Sequence, residues 1–223
     1  IVMDFAYYQR GDATKRVEHY FSLSNAEPEL KKTATVETFV QVKRKQFADV
    51  AADHFAKDAI ENLAGLGVIS GYADGTFKPN KPVSRVEMLV LLIRTLPSGE
   101  VEKIRARSFA VAFNDLTLNH WAASFIGWSL EKGVVTGFPN KTFRPNLPIS
   151  RAAGITIATR FADIKTARVL ELPFEDVPAR HWAITYITAA KEAGLLEYYG
   201  KKLEPDKVLT RAETALMLYR TKT

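Results

Sequence analysis

The sequence predicts a mainly α protein in which three helix-loop-helix modules share one core, and three recurring features indicate this fold. A Phe-x-Asp-apolar tetrad begins at Phe47, Phe113 and Phe174. A His-aromatic pair follows, and then a glycine that closes an apolar helical stretch, at Gly67, Gly133 and Gly194. A hydroxyl-arginine pair comes last: Ser84-Arg85, Ser150-Arg151 and Thr210-Arg211. Because the landmarks keep their order and spacing in three copies, they indicate an internal repeat.

Residues 1–46 precede the first copy and do not match the repeat. Partial alternation of apolar and polar residues predicts two strands, at 17–23 and 35–42. A two-stranded hairpin is marginal by itself. We therefore interpret 1–46 either as the end of an upstream β domain or as a short collar packed on the repeats. Because the sequence begins at Ile1, we expect a processed start or an excised fragment.

Each copy is interpreted as a helix, a loop and a second helix, which gives module one at 47–96, module two at 113–161 and module three at 174–221. The first helix of module one has an apolar face, made of Phe55, Ala59, Ile60, Leu63 and Leu66. Gly67 suits the left-handed conformation that commonly follows a helix. The segments between modules, 97–112 and 162–173, have the composition of linkers.

The second helix of each module is predicted to begin at a capping motif. Two copies contain a Ser/Thr-x-x-Glu capping box, formed by Ser84 with Glu87 and by Thr210 with Glu213. In module two Ala153 replaces the glutamate, so only Ser150 remains. The helix that follows is apolar on nearly every side, as at 88–93, which predicts burial all round.

One module alone is too small to bury its apolar faces. Three modules can share a core, and a pseudo-threefold trimer within one chain is the natural closed arrangement. An open solenoid is the alternative, although solenoids usually need capping units and more copies. The sequence therefore favours closure.

Composition excludes several classes of protein. Of the 223 residues, 47% are apolar and 25% are charged, as in an ordinary globular protein. Cysteine is absent, which excludes thiolate metal sites, thiol nucleophiles and disulfides. The longest apolar run, 88–93, is far below the ~20 residues that span a membrane. A net charge of +6 fits an anionic partner, but the basic residues are scattered and no nucleic-acid-binding motif occurs.

The repeat resembles the S-layer homology (SLH) module of bacterial cell-surface proteins over roughly residues 47–220. The family's signature contains Phe-x-Asp-Val, His-Trp, Gly-Tyr-x-Asp-Gly-Thr-Phe-x-Pro and Thr-Arg-Ala-Glu. Module one matches it almost completely, including the loop at 71–79. Module two keeps the loop but ends Ser150-Arg151-Ala152-Ala153, whereas module three keeps Thr210-Arg211-Ala212-Glu213 and has an altered loop.

The resemblance implies a non-catalytic, extracellular module that anchors a surface protein to the cell wall without a covalent bond. The implied partner is a pyruvylated secondary cell-wall polysaccharide attached to peptidoglycan, bound in grooves between adjacent modules with the motif arginine as a principal contact. Other S-layer subunits are a further implied partner. The alternative is a structural protein–protein module of a surface lattice that binds no glycan. No cofactor, metal site, membrane contact or catalytic constellation is indicated.

Arg85, Arg151 and Arg211 are the leading ligand-binding candidates on physical grounds as well. Each follows the N-cap at the positive end of a helix macrodipole, where a cation is unfavourable. A bound carboxylate would gain the arginine fork, free backbone N–H groups and the dipole together. The alternative is that each arginine pairs with the tetrad aspartate of a neighbouring module: Asp49, Asp115 or Asp176.

Four further residues are candidates for the ligand site. Gly71 and Gly137 either let a ligand approach the backbone or are turn glycines with positive φ. Trp121 and Trp182 either stack on a sugar ring or anchor the first helix in the core. The repeated histidines are expected to cap or pack at helix starts rather than to bind a metal: His54, His120 and His181.

Overall fold

The computed structural model describes residues 14–19, 36–41, 44–110, 113–117 and 119–221. Two strands, β1 (Thr14–His19) and β2 (Val36–Gln41), pair antiparallel in a two-stranded sheet. β2 confirms the second predicted strand. β1 starts before the first predicted strand, and residues 20–23 of that prediction lie outside the described residues. The interpretation of 1–46 as an upstream domain or a collar stays a prediction.

Seven helices follow in the described part of the chain. They are α1 (Lys57–Gly65), α2 (Arg85–Ile93), α3 (Ser98–Ala106), α4 (Ala123–Glu131), α5 (Arg151–Phe161), α6 (Ile184–Glu192) and α7 (Arg211–Arg220). The predicted helix pairs are therefore α1 and α2, α4 and α5, and α6 and α7. No described helix is long and apolar enough to cross a membrane.

The linker prediction for 97–112 is partly wrong, because α3 lies within it. α3 packs against α4, and its Val101 and Ile104 side chains are buried. Two apolar residues three positions apart give this short helix the face it needs to dock. The second connecting segment, 162–173, contains no helix or strand.

The helices pack mainly between modules. α1 packs on α7, α4 on α2 and α6 on α5, so the first helix of each module lies against the second helix of another. The second helices also contact one another. Their Met88, Leu92 and Ile155 side chains are fully buried, which confirms the predicted burial of these helices. No module buries its apolar surface alone.

A ring of three backbone hydrogen bonds joins the segments that precede the second helices. Val83 N–H donates to Leu209 O (3.0 Å), Leu209 N–H to Ile149 O (2.8 Å), and Ile149 N–H to Val83 O (2.9 Å). Each module therefore donates one bond and accepts one, and the last module contacts the first. An open solenoid would not bring these two together. The ring agrees with the predicted closed, threefold arrangement.

The predicted helix ends are confirmed. Gly67, Gly133 and Gly194 have φ of 73°, 69° and 78°, the left-handed conformation in which glycine carries no Cβ penalty. Both capping boxes form, at the start of α2 and of α7. At the start of α5, Ser150 Oγ accepts from Ala153 N–H and no reciprocal partner exists.

The tetrad aspartate of each module clamps that module's own loop. It accepts two backbone N–H groups at 2.7–2.8 Å: Asp49 from Phe77 and Lys78, Asp115 from Phe143 and Arg144, and Asp176 from Leu203 and Glu204. The second donor of each pair has positive φ, between 52° and 57°. That conformation is uncommon for a residue with a side chain, so the clamp stabilises a loop that would otherwise be strained. This loop forms one wall of each groove between modules.

Candidate functional site in the grooves between modules

Each motif arginine reaches out of its own module and onto the loop of another. Arg85 Nη2 donates to Thr136 O of module two (2.6 Å), Arg151 Nη1 to Leu203 O of module three (2.8 Å), and Arg211 Nη2 to Ser70 O of module one (2.8 Å). The three contacts run in one cyclic order. They define three inter-module grooves, called here the Arg85, Arg151 and Arg211 grooves.

The Arg85 groove is a cavity of about 600 Å³ whose lining contains no acidic side chain among the described residues. The Arg85 guanidinium carbon lies 4.8 Å from the ring centroid of Phe143 and 5.3 Å from that of Phe138. Its Nε is buried and has no hydrogen-bond partner within the described chain. Burial, together with the positive charge of Arg160, lowers the pKa of Arg85 to about 10. The guanidinium is still charged at neutral pH, and one of its donors is unused.

Two further side chains complete the Arg85 groove. Arg160 lies on α5 and donates from Nη2 to the Tyr186 hydroxyl (2.9 Å), which orients a second cation along the wall. Trp182 comes from module three and is 61% exposed. The groove is thus built by all three modules: one gives the motif arginine, the next gives the loop and the second arginine, and the third gives an open aromatic surface.

The Arg211 groove repeats this plan in a smaller cavity of about 160 Å³. Arg211 Nε donates to Phe77 O (2.9 Å), and its guanidinium carbon lies 4.4 Å from the Phe77 ring centroid. Arg94 and Trp121 line the groove at the places that Arg160 and Trp182 take in the Arg85 groove. The difference is Glu87, which adds a carboxylate to the lining.

The Arg151 groove is filled by the protein's own side chains. Glu213 Oε1 accepts from Arg151 Nε (3.0 Å) and Nη2 (2.6 Å), and Glu204 Oε2 accepts from Nη1 (2.9 Å). Arg151 is only 8% exposed. The guanidinium carbon of Arg151 lies 4.9 Å from the ring centroid of Tyr199. The rings of Tyr198 and Phe55 stack with their centroids 5.5 Å apart. Two carboxylates and two phenol rings occupy the space that stays open in the Arg85 groove.

The predicted source of anion binding at the helix N-termini is wrong in one respect, because the backbone N–H groups are not free. At the start of α2, Arg85 N–H donates to Leu147 O and Val86 N–H to Pro145 O. α5 and α7 use their first two N–H groups in the same way, on the loops of neighbouring modules. The third N–H of each helix donates to the N-cap hydroxyl. At these helix N-termini, a bound carboxylate would therefore have the arginine side chain as its donor and not the first three backbone N–H groups.

The predicted arginine–aspartate pairs do not form. The three tetrad aspartates are used by the loop clamps, and Arg85 and Arg211 have no acidic partner within the described residues. Arg151 does bridge modules through carboxylates, but those of Glu204 and Glu213. The structural alternative therefore describes one arginine of the three.

Gly71 and Gly137 lie in the loops, but they are not turn glycines, since neither has positive φ. A Cβ on Gly71 would lie 2.3 Å from Cε1 of Phe47, and one on Gly137 would lie 2.1 Å from Cε1 of Phe113. Each glycine is required because the tetrad phenylalanine packs against its backbone. Neither glycine's N–H has an acceptor within the described chain, so their role in ligand binding stays a prediction.

The repeated aromatic residues are on the surface. Trp121 is 62% exposed, and Phe55, expected on the buried face of the first helix, is 53% exposed. The interpretation of the tryptophans as core anchors is therefore wrong. The histidines beside them have the predicted capping role, because each Nδ1 accepts the backbone N–H two residues on, at 3.1–3.2 Å.

A second repeated arginine was missed by the sequence analysis. Arg94, Arg160 and Arg220 each follow the motif arginine by nine residues. Arg94 and Arg160 line their grooves, whereas Arg220 Nη2 lies 3.5 Å from Glu197 Oε2. Nine residues are two and a half helical turns, which places both arginines of a helix at opposite ends and in different grooves. Extending the repeat alignment through the second helix would have found them.

Comparison with known proteins gives the same organisation. The sequence model of the S-layer homology domain matches residues 46–89, 112–153 and 173–215, more than half of the chain. The chain is 31% identical to the cellulosome-anchoring protein of Acetivibrio thermocellus over 138 residues, which are 61% of this chain and 30% of that protein.

Two other relatives show the range of proteins in which this sequence pattern occurs. The S-layer protein sap of Bacillus anthracis is 29% identical over 179 residues, covering 79% of this chain and 21% of the relative. An amylopullulanase of Thermoanaerobacterium thermosulfurigenes is 29% identical over 186 residues, covering 78% of this chain and 9% of the relative. The chain spans less than a third of the length of each of these relatives.

Proposed function

The chain belongs to the S-layer homology family, and we propose that it anchors a surface protein to the bacterial cell wall by binding a pyruvylated secondary wall polysaccharide in its grooves. Its place at the cell surface follows from the family and from relatives named as S-layer and cell-surface proteins. Relatives as different as an S-layer protein and an amylopullulanase share the module. This favours attachment, rather than catalysis, as the contribution of these residues.

The observation that carries the proposal is the unpaired Nε of Arg85. A buried polar group without a partner is costly, typically by about 1–3 kcal/mol, and native proteins satisfy most such groups. The atom belongs to a guanidinium in a cavity that contains no acid in its described lining. A ligand carboxylate would supply the missing acceptor once the guanidinium turns its Nε towards the cavity, and the ketal carboxylate of a pyruvylated sugar is such a group.

The rest of the Arg85 groove suits a sugar. Its volume of about 600 Å³ falls in the range of small-ligand sites. Trp182 offers an exposed ring on which the apolar face of a pyranose can stack. Arg160 adds a second cation that can meet another anionic or hydroxyl group of the polymer. The Arg211 groove has the same types of residue in less space and with one carboxylate, so we expect it to bind more weakly.

A lattice role without glycan binding is favoured by one observation only, the Arg151 groove. There the motif arginine bridges two modules through internal carboxylates, as the structural alternative requires. We assign that groove to module packing and the two open grooves to the ligand.

The test is binding of the full chain to purified cell wall before and after hydrofluoric acid removes the secondary polymer. We expect binding to be lost with the polymer. Calorimetry with pyruvylated N-acetylmannosamine should then give fewer than three sites per chain, and the same sugar without pyruvate should bind far more weakly. Equal binding to stripped wall, or equal affinity for both sugars, would contradict the proposal.

A further inference from the structure

The third residue of each second helix differs between the modules, and the grooves differ with it. In α7 this residue is Glu213, whose carboxylate has two functions. Oε2 accepts the Thr210 N–H (2.9 Å) and completes the capping box, while Oε1 accepts two N–H groups of Arg151. One side chain thus caps its own helix and occupies the motif arginine of the neighbouring module.

In the Arg85 groove the same place is taken by Ala153, a partly buried residue of the lining. Arg151 Nε has a glutamate oxygen at 3.0 Å, whereas Arg85 Nε has no partner within the described chain. The two arginines occupy equivalent repeat positions. The missing acceptor in one groove therefore corresponds to the carboxylate present in the other.

We propose that the third residue of the second helix tunes how well a groove accepts an external carboxylate: Ala153 leaves the Arg85 groove without an internal anion, and Glu213 helps to close the Arg151 groove by acting as an internal ligand. This inference rests on the proposed function, since it takes an anionic sugar as the external ligand. It adds a specificity-determining residue that does not itself need to touch the ligand.

The Arg211 groove is the intermediate case. Glu87 lines it, but its Oε2 accepts the Ser84 N–H, and it makes no ion pair with Arg211 within the described residues. Arg211 instead donates to the carbonyl oxygens of Phe77 and Ser70. The glutamate lowers the positive potential of the groove without occupying the arginine. The order of carboxylate affinity expected from this residue is Arg85 groove, Arg211 groove, Arg151 groove.

The test is the full chain with Ala153→Glu, and with Ala153→Gln as the matched control of nearly equal size and no charge. Titration with pyruvylated N-acetylmannosamine should show a loss of at least about tenfold at the strongest site of A153E, the scale of one charge-assisted hydrogen bond. A153Q should stay within about threefold of the wild type, which is less than half of one such bond. An unchanged strongest site in A153E would overturn the inference while leaving the proposed function intact.

A ligand-free measurement separates the two claims. In a ¹⁵N-resolved NMR spectrum, the proton signal of the buried Arg85 Nε–H should move downfield in A153E, because the new carboxylate supplies the acceptor that this group lacks in the wild type. Glu213→Ala should have the opposite effect on Arg151 Nε–H. A153E should also melt about 2–4 °C higher than the wild type, because a capping box is completed. If the wild type binds no sugar, the proposed function fails, and an unshifted Arg85 Nε–H signal in A153E then overturns the closure claim as well.

Discussion

The Arg85 and Arg151 grooves use the same repeat position for opposite purposes. In both, an arginine at the first position of the second helix extends over the loop of the next module. Arg151 is buried and surrounded by two carboxylates, whereas Arg85 lies in an open cavity with an unused donor. A motif residue that recurs in every module therefore does not by itself indicate a recurring site, because the side chains opposite it decide whether it binds the protein or a ligand.

The open and closed grooves share one backbone arrangement and differ in the side chains at a few equivalent repeat positions. At the clamped loop position modules one and two carry the cations Lys78 and Arg144, but module three carries Glu204. At the third residue of the second helix, module two has Ala153, whereas modules one and three have a glutamate. At the loop glycine position module three has large side chains, and Tyr198 and Tyr199 fill the groove. Burial raises the pKa of both phenols, so they fill the groove as neutral rings.

The largest expected effect tests whether the grooves depend on a shared core. Residues 47–96 expressed alone should give a largely unfolded chain, because α1 and α2 make their main contacts with other modules. Far-ultraviolet circular dichroism during heating measures this. A cooperative melting transition from the fragment would mean that each module is an independent unit, and the comparison between grooves would lose its basis.

The next effect separates the two arginines by stability. Arg151→Ala should lower the free energy of unfolding by about 3–5 kcal/mol, the usual cost of removing one partner of a buried ion pair. Arg85→Ala should lower it by about 1 kcal/mol, since the hydrogen bond to Thr136 O and the contacts with the Phe138 and Phe143 rings are lost but no ion pair is broken. Chemical denaturation of the full chain measures both. Equal losses would show that Arg85 is also a structural bridge.

Much of this organisation could be predicted from the sequence, because the repeat fixes it. The helix pairs, the capping boxes, the closing glycines and the shared core all follow from local patterns that recur three times. The partners of the arginines could not be predicted, since they lie 51 residues or more away along the chain. The sequence indicated that Gly71 was special, but only the position of the Phe47 ring explains why.

The exposure of the tryptophans shows the same limit. Trp121 and Trp182 occupy the repeat position expected of a helix anchor. Each lies just before the first residue of its helix, however, and its side chain is exposed. Periodicity assigns a face only within a helix, and α4 and α6 start two residues later, at Ala123 and Ile184. The sequence therefore singles out these aromatic residues but does not establish whether their side chains are buried or exposed.

The third prediction concerns affinity. Arg85→Ala should weaken binding of pyruvylated N-acetylmannosamine at the strongest site by about 10- to 150-fold, the equivalent of one charge-assisted hydrogen bond. Arg85→Lys should recover only part of the loss, because an ammonium group cannot reproduce the planar fork. Calorimetry gives both values, and Arg151→Lys provides the matched variant in the closed groove.

The outcome that would refute this assignment is specific. The wild type with the unpyruvylated sugar should bind about as poorly as R85A with the pyruvylated one, because each lacks one half of the same contact. If removing pyruvate matters little while R85A still weakens binding, the arginine contacts another part of the ligand.

The smallest expected effect concerns pH and the loop clamps that all three grooves share. Burial opposes ionisation of Asp115 and Asp176, but hydrogen bonds from two backbone N–H groups outweigh it and lower the pKa of both. A carboxyl whose pKa is lower in the folded state contributes stability above its unfolded pKa of about 3.9 and loses it as pH falls through the folded value. The melting temperature should therefore be constant near neutral pH and fall below about pH 4.

Asp115→Asn removes one loop clamp, so it should cost about 1–2 kcal/mol at pH 7 and flatten the fall in stability at acid pH. Asp53→Asn, at an exposed residue that clamps no loop, is the matched control for the change from Asp to Asn. Because the clamp lies behind the open and the closed groove alike, Asp176→Asn should behave as D115N does, and a difference between them would show that the loops of modules two and three are held in different ways.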